Sequence, residues 1–390
     1  MGHFAVDWMN GQRSVLITYL SGPLGLTNAA IGLFTTIYTL AGALTQPIFG
    51  HITDRIGPRW VIAGGVIWIG VFYAIALFSP GWTALIFLVI ACLGSGAVHP
   101  AGVMQATTVT RENMSGREAT AAAYFFIFGQ VGFFVGPLLA GFLLTRFGEP
   151  GLFPTSAIVV MIGLLIFRLL IPGRIKTREA PTQLATPITK NWRNRIIPVA
   201  ALLLIASFQA AAQQNITTFL PKMLSDAGKP ASVYGLISSL YIIGTAGGNL
   251  LGGPLGDRFG KKRVIISGLV LASFPLLLMT SLGVSDWLYL LMPIVGLIIE
   301  LAYPSVFVLA QRIVPGSLGL SSGLIMAFIF AAGTLGTAIS GPIADQWGFS
   351  MVFLISTGLV FIAGIIALAL KEEKFGHPVP ISPASFDPIE

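Results

Sequence analysis

The chain has 390 residues, of which 55% are hydrophobic and only 9% are Asp, Glu, Lys or Arg. Soluble domains usually carry about 25% charged residues, so this composition excludes a globular enzyme with a solvated surface. The 22 basic and 15 acidic side chains give a net charge of +7, whose meaning depends on where the charges lie. The single cysteine, Cys92, can form neither an internal disulfide nor a thiolate metal cluster.

Twelve apolar runs bounded by Gly, Pro or charged residues follow one another along the chain. Each is close to the roughly 20 residues that a spanning helix needs, and backbone amides in lipid must bond within their own segment. We therefore predict an all-α polytopic membrane protein with twelve transmembrane helices in two pseudo-symmetric six-helix bundles. The predicted spans are 3–21, 28–50, 60–79, 82–110, 117–145, 151–171, 196–220, 231–253, 263–283, 286–310, 317–344 and 349–370.

The basic residues predict the orientation, because Lys and Arg are retained on the cytoplasmic side. With the N-terminus inside, eighteen basic residues fall on the inner side and three on the outer side, while Arg13 lies within the first span. Both termini are therefore expected to be cytoplasmic, in an inner membrane. The net charge then reflects topology, and no nucleic-acid partner is expected. Four acidic residues fall at outer ends, where we expect them to be solvated: Glu149, Asp226, Asp286 and Asp345.

One long polar connection, 172–195, separates the two sets of six spans, and it contains three prolines and six basic residues. The predicted organisation is an N-terminal bundle, a cytoplasmic linker, a C-terminal bundle and a cytoplasmic tail. Their boundaries are 1–171, 172–195, 196–371 and 372–390. No cleavable signal peptide is predicted, because the first apolar run is interrupted by polar residues and lacks a small-residue cleavage site.

The two halves of the sequence repeat each other. The stretch 50–59 after the second span is matched by 253–262 after the eighth, and His99-Pro100 in the fourth span by Tyr303-Pro304 in the tenth. Such a duplication predicts a substrate site near the midplane between the halves, opened alternately to each side of the membrane.

The repeated stretch has the form G-x-x-x-D-R-x-G-x-R/K and resembles the signature of the major facilitator superfamily. The resemblance covers essentially the whole chain and implies a transporter in which this loop latches the halves in the outward-facing state. A plainer interpretation is that these residues are topology charges and loop glycines. The residues to which the gating role is carried over are Gly50, Asp54, Arg55, Gly57, Arg59, Gly253, Asp257, Arg258, Gly260 and Lys262.

Two further motifs narrow the resemblance. The fifth span resembles the G-x-x-x-G-P-x-x-G-G motif of exporting members through Gly132, Gly136, Pro137 and Gly141, with Ala140 replacing one glycine. Small residues four apart also serve ordinary helix packing. The opening H-x-x-x-D and the G-S-x-x-x-H-P stretch ending at 99–100 are similar to the fosmidomycin-resistance branch. The arginine that drug/proton antiporters often carry in the fourth span is not found here.

Polar residues within the spans are candidates for substrate or proton binding, because such groups are expensive in a membrane. The candidates are Asp7, Arg13, His99, Gln130, Gln213, Glu300 and Tyr303. Arg13 cannot lose its proton and needs an anionic partner, either Glu300 or a substrate. Protonation of Glu300 or Asp7 is the expected driving step for outward release. The alternatives are structural: Asp7 capping its helix or bonding His3, His99 bonding a carbonyl freed by the proline, and a static bridge between Arg13 and Glu300.

The sequence thus predicts a monomeric secondary transporter that exports a small organic molecule, anionic or amphipathic, in exchange for protons. Import of an organic anion or nutrient by symport and lysolipid flipping use the same scaffold. No zinc-binding, nucleophile-elbow or phosphate-loop motif is present. Neither an enzyme nor a metal or cofactor site is therefore expected, and the expected partners are the substrate, protons and the lipid bilayer.

Overall fold

The computed structural model describes residues 1–113, 118–170, 193–313 and 318–370, and the regular elements within these ranges are all helices. Ten stretches are long and apolar enough to cross a membrane, which confirms the all-α polytopic class. The helices are α1 (Gly2–Ser21), α2 (Asn28–Ile56), α3 (Pro58–Leu77), α4 (Trp82–Asn113), α5 (Glu118–Phe147), α6 (Phe153–Leu169), α7 (Arg193–Asp226), α8 (Ala231–Phe259), α9 (Lys261–Leu282), α10 (Leu288–Glu300), α11 (Tyr303–Ile313) and α12 (Leu318–Ile366). Most of the predicted linker and all of the predicted tail lie outside the described residues.

The helices differ from the predicted spans in two places: two spans are joined in one bent helix at Gly348, and one span is divided before Pro304. The long α12 bends at Gly348, whose φ of 79° favours glycine, and its two arms correspond to the last two predicted spans. The predicted tenth span is instead split into α10 and α11, because Pro304 has no N–H to donate to the carbonyl of Glu300 four residues earlier. With α10 and α11 as one crossing and α12 as two, the helices are consistent with twelve crossings.

Close packing within each half places α1 against α5, and α3 against α4 and α6. In the later helices, α12 packs against α7 and α9, and α8 against α10. The main contacts between the first six helices and the rest are made by α2 with α12 and by α5 with α8. Glycines permit these contacts: Gly32 of α2 lies against the backbone of Thr337, and Gly141 of α5 against Ala231 and Gly235.

The α2–α12 and α5–α8 pairs are hydrogen-bonded at the ends predicted to be outer, and we use outer and inner in that sense. Asp345 of α12 accepts bonds from the backbone N–H groups of Asn28 (Oδ1···N 2.8 Å) and Ala29 (Oδ2···N 2.9 Å), at the start of α2. In the corresponding place, the Thr145 hydroxyl of α5 accepts a bond from the Ser232 N–H at the start of α8 (2.8 Å). These two sets of contacts are called the outer latch below.

Further bonds continue the contact toward the middle of the helices. Thr36 donates to the Thr334 carbonyl (2.6 Å), and Ser239 donates to the Phe134 carbonyl (2.8 Å). Within the described ranges, the hydrogen bonds between the first six helices and the later ones run from the outer ends to mid-depth. The protein is therefore closed on the predicted outer face.

The outer latch belongs to a sequence pattern that occurs four times. Each copy reads G-x-x-x-D/T-x-x-G, and its last glycine has a positive φ, at Gly57, Gly148, Gly260 and Gly348. Two copies end α2 and α8 on the inner side, and two lie at the outer ends of α5 and the first arm of α12. Inverted three-helix repeats nested within each half produce this alternation. Asp345 is thus the outer relative of the inner Asp54 and Asp257.

Asp345 is solvated as expected, and it also makes a contact that was not predicted. Its side chain is exposed, but both carboxylate oxygens bond to the first turn of α2. The first N–H groups of a helix have no intrahelical acceptor, and the helix dipole favours a negative charge there. Asp226, by contrast, pairs with Lys222 within α7.

Removing the Asp345 carboxylate should shift the protein toward a state open on the outer face. Hydrogen bonds to charged groups contribute about 1.5–3 kcal/mol, so Asp345→Ala should change the ratio of the two states by about tenfold or more. Phe78 and Ser281 lie at outer ends, one in each half. The distance between spin labels at these two positions should be longer in Asp345→Ala than in the wild type. The labels require a Cys92→Ser background.

Asp286→Ala is the matched control, because it removes the same charge from the same face. Asp286 is exposed and, within the described residues, makes no side-chain bond between the halves. An unchanged distance distribution in Asp345→Ala, or an equal shift in Asp286→Ala, would show that the outer latch does not hold the closed state.

Candidate functional site

The predicted residues Asp7 and His99 lie together with His3 at the inner end of α1. His3 Nε2 is 3.0 Å from Asp7 Oδ2, and His99 Nε2 is 3.5 Å from Asp7 Oδ1. The other ring nitrogens face backbone carbonyls, His3 Nδ1 that of Phe125 (2.6 Å) and His99 Nδ1 that of Ser95 (2.8 Å). The structure thus contains the contact of Asp7 with His3 that was considered as a structural alternative, whereas His99 faces the carbonyl of Ser95 and not that of Gly96, which Pro100 leaves free. These three side chains are called the His–Asp cluster.

The His–Asp cluster has the composition of a metal site, since its ligand-type atoms lie within 4.8 Å of one another. The ring nitrogens nevertheless face the Asp7 oxygens directly, at hydrogen-bonding or ion-pair distance. Asp7 Oδ1 also accepts a bond from Asn10 Nδ2 (3.1 Å). The arrangement is therefore complete as a hydrogen-bonded network.

Asn10 extends this network from the His–Asp cluster toward the middle of α1. Besides Asp7, its amide donates to Ser95 Oγ on α4 (2.9 Å), and its Oδ1 accepts a bond from the Tyr38 hydroxyl on α2 (2.8 Å). Tyr38 in turn lies beneath Arg13, whose guanidinium carbon is 4.6 Å from the ring centroid. Three helices of the first half thus meet around one polar chain.

Arg13 is half-buried, and its Nε and Nη1 atoms are shielded from solvent without a hydrogen-bond acceptor among the described residues. The predicted pairing of Arg13 with Glu300 is not formed in this structure, since neither residue has an ion pair with another described residue. The contact with the Tyr38 ring stabilises the cation by about 0.5–2 kcal/mol. That contact leaves the N–H groups unsatisfied, so the position is suited to an anionic oxygen.

Glu300 lies at the end of α10, where the break before α11 exposes it to polar neighbours. Its side chain is only 8% exposed and accepts bonds from Gln213 Nε2, at Oε2, and from Asn249 Nδ2 (3.4 Å), at Oε1. The neighbouring Gln209 donates to the carbonyl of Ile299 (2.9 Å), one of the carbonyls left free where α10 ends. A buried acid at mid-span with polar neighbours is typical of sites for substrates or ions.

Of the other predicted binding residues, Tyr303 and Gln213 lie near Glu300, and Gln130 does not. Tyr303 lines a small cleft with Gln209 and Gln213, bounded by apolar side chains of α7, α11 and α12. Gln130 of α5 is half-buried and makes no hydrogen bond within the described ranges. The structure therefore brings together one polar group around Asp7 and another around Glu300, and it leaves Gln130 outside both.

The residues of the predicted gating motif make contacts within their own halves. Arg59 Nε donates to the Phe167 carbonyl (2.8 Å), and Lys262 Nζ donates to the Leu368 carbonyl (2.8 Å), in pseudo-equivalent positions. Asp257 pairs with the neighbouring Lys261 (2.7 Å). Asp54 is exposed and forms no ion pair with a described residue. A latch on the inner face therefore stays a prediction, for a state other than the present one.

The glycines of the fifth-span motif bring α5 into contact with two helices. A Cβ at Gly132 or Gly136 would collide with the α1 backbone, at Trp8 N (2.9 Å) and Gln12 N (2.7 Å) respectively. Gly141 instead faces α8. The motif therefore permits close packing on both sides of α5, and its role in limiting leak stays a prediction.

Sequence reasoning missed several residues that the structure places in or near the site. Tyr38 lies in the second span, and the predicted candidates came from the first, fourth, fifth, seventh and tenth spans. Asn10 is polar, in the first span and three residues after Asp7, a spacing that places both on one helix face. For Asp345 and Thr145, the fourfold G-x-x-x-D/T-x-x-G pattern was the available signal.

Relatives and solved structures of transporters resemble the chain along most of its length. It is 27% identical to the fosmidomycin resistance protein of Escherichia coli over 382 residues, covering 96% of this chain and 92% of that protein. The multidrug resistance protein MdtG of Salmonella typhimurium is 22% identical over 344 residues, covering 86% and 83%. The fold matches that of the nucleoside transporter NupG with a TM-score of 0.73 at 18% identity, covering 95% of this chain and 97% of that one.

Besides the individual relatives, a family model matches the chain, and it is a model of transporters. The model of the Major Facilitator Superfamily matches residues 3–228 and again 202–386. These two matches span both copies of the repeated G-x-x-x-D-R-x-G stretch and nearly the whole sequence. The chain therefore belongs to the Major Facilitator Superfamily.

Proposed function

We propose that this protein is a proton-coupled exporter of a small organic anion. The observation that carries the proposal is the unpaired guanidinium of Arg13 in a polar chain on α1. An uncompensated buried charge is costly, and the protein offers it no acceptor within the described ranges. A carboxylate, phosphate or phosphonate oxygen of a substrate would supply that acceptor. The similarity to the fosmidomycin resistance protein supports a phosphonate as the first candidate.

The proposal includes a topology and a mode of action. Both termini lie in the cytoplasm, the protein resides in the inner membrane as a monomer, and the halves 1–171 and 196–371 rock about the site between them. The closed outer face supports a state in which the substrate enters from the inner side. Asp7 and Glu300, one in each half, are the two candidate carriers of the coupling proton.

An importer of organic anions or nucleosides is the second candidate function, because a nucleoside transporter is among the solved structures with the same fold. Lysolipid flipping is a third, but the polar chain from Asp7 to Arg13 favours a water-soluble substrate. Direction and substrate can both be decided in one assay.

In inverted membrane vesicles, acidifying the lumen should drive uptake of fosmidomycin. The lumen corresponds to the cell exterior, so protons leaving it would be exchanged for substrate entering it. Vesicles without the protein are the control, and collapse of the pH gradient with a protonophore should abolish accumulation. Accumulation that requires an alkaline lumen would show symport instead, and competition by lysolipid but not by other phosphonates would favour a flippase.

Arg13→Gln should lower fosmidomycin transport by about 30-fold or more, since removing one member of a buried charge pair costs about 2–5 kcal/mol. Arg13→Lys should recover only part of the loss, because an ammonium cannot reproduce the planar guanidinium on Tyr38. The measurement is the initial rate of uptake at subsaturating substrate.

Arg146→Gln is the matched control, since it removes the same charge. Arg146 is exposed at the outer end of α5, and its side chain makes no hydrogen bond or ion pair within the described ranges. Equal losses in Arg13→Gln and Arg146→Gln would exclude Arg13 as the anion-binding residue.

A further inference from the structure

In the His–Asp cluster, one ring nitrogen of each histidine faces a backbone carbonyl. His3 Nδ1 faces the Phe125 carbonyl at 2.6 Å, and His99 Nδ1 faces the Ser95 carbonyl at 2.8 Å. A carbonyl oxygen can only accept, so both Nδ1 atoms must carry a hydrogen. A neutral imidazole has one N–H, which leaves each Nε2 with a lone pair.

Those Nε2 atoms face the carboxylate of Asp7. The His3 Nε2 to Asp7 Oδ2 distance is 3.0 Å, which is the length of a hydrogen bond. Two lone pairs do not approach so closely without a hydrogen between them. The geometry therefore provides a position for one proton more than a carboxylate with two neutral imidazoles, between His3 and Asp7. His99 Nε2, 3.5 Å from Asp7 Oδ1, offers the position for a second.

The described neighbours of this position differ in their burial and in their chemistry. His3 and Asp7 are buried, whereas the His99 side chain is 25% exposed and gives a route to solvent. From the described part of α5, the neighbours are the Phe125 carbonyl and Gly129, where a Cβ would lie 2.7 Å from Asp7 Oδ2. From α4, the titratable neighbour in the described ranges is His99.

The cluster is linked to the anion site by two hydrogen bonds and one ring contact. Asn10 Nδ2 donates to Asp7 Oδ1, Asn10 Oδ1 accepts from the Tyr38 hydroxyl, and the Tyr38 ring lies beneath Arg13. When the shared proton leaves to water, the cluster changes from neutral to a net charge of −1 on Asp7. The carboxylate then lacks the donor at Oδ2, and the Asn10 amide is the nearest group able to turn toward it.

We infer that the His–Asp cluster is the site of the coupling proton, and that Asn10 and Tyr38 transmit its occupancy to Arg13. Turning of Asn10 frees the Tyr38 hydroxyl, which then donates to a substrate oxygen beside Arg13. Substrate binding and protonation thus exclude each other, as exchange requires. The inference rests on the proposed function, and it assigns the coupling role to His3, Asp7 and His99 over Glu300.

The test is the release of protons when fosmidomycin is added to the purified protein in weakly buffered detergent, followed with a pH indicator. The wild type should release about one proton for each substrate bound. Asp7→Asn and His3→Gln should release none for each fosmidomycin bound, and substrate counterflow in proteoliposomes without a pH gradient measures the transport that remains. His51→Gln, which alters an exposed histidine of α2, is the control and should release protons like the wild type.

The outcomes separate the inference from the proposed function. Undiminished proton release in Asp7→Asn, together with its loss in Glu300→Gln, would overturn the inference and place the proton at Glu300. Proton uptake by the wild type would overturn exchange as the function. If counterflow also failed in Asp7→Asn, His3→Gln would decide, and undiminished proton release in that variant would overturn the shared-proton assignment.

Tyr38→Phe tests the transmission step, because it keeps the ring beneath Arg13 and removes only the hydroxyl. Because the hydroxyl contacts the substrate in this scheme, its loss should weaken fosmidomycin binding, and it should also reduce proton release per bound substrate to less than half. Wild-type proton release in Tyr38→Phe would show that the signal does not pass through this hydroxyl.

Discussion

Polar groups inside a bundle of apolar helices must be bonded by the protein itself, because neither lipid nor water is there to satisfy them. On α1 this constraint is met around two residues: Asp7 has partners on both oxygens, and Asn10 bonds through both its amide and its carbonyl. Within the described residues, Trp8 Nε1, Thr18 Oγ1 and the Nε and Nη1 atoms of Arg13 have no hydrogen-bond partner, and of these three side chains only Arg13 carries a charge. The same reasoning assigns structural roles to Gln209 and Asn249, whose bonds surround the broken end of α10.

The network on α1 depends on how closely α5 approaches it. Gly129 faces the Asp7 carboxylate, and Gly132 and Gly136 lie directly against the α1 backbone. A side chain at any of these positions would separate the helices and lengthen the contact of His3 with the Phe125 carbonyl. The glycines of the motif that resembles those of exporters thus position the His–Asp cluster as well as packing a helix. This gives the motif a physical role that does not depend on a seal against leak.

The class of fold was predictable from the sequence because apolar length and the distribution of Lys and Arg follow directly from the membrane. Contacts between halves were not, since they depend on the conformational state. Arg13 was expected to pair with either Glu300 or a substrate anion, and in a structure closed on the outer face Arg13 and Glu300 have separate neighbours. The partners of Asp7 were predictable in part, because His3 lies one helical turn away. Tyr38 comes from another helix, and only the packing of α1 against α2 and α4 reveals its place.

One helix connects all of these elements. The start of α2 is held by Asp345 in the outer latch, its middle contributes Thr36 to the α12 contact and Tyr38 to the chain that reaches Asp7, and its inner end carries Asp54. A change in the hydrogen bond of Tyr38 therefore acts on the helix whose two ends carry the outer latch and the inner motif. Asp345 and Asp54 occupy equivalent positions in inverted repeats. A tilt of α2 would therefore be enough to break the outer latch at Asp345 and to form the predicted inner contact of Asp54. Protonation at the His–Asp cluster would then bias which face is closed, without a separate gate.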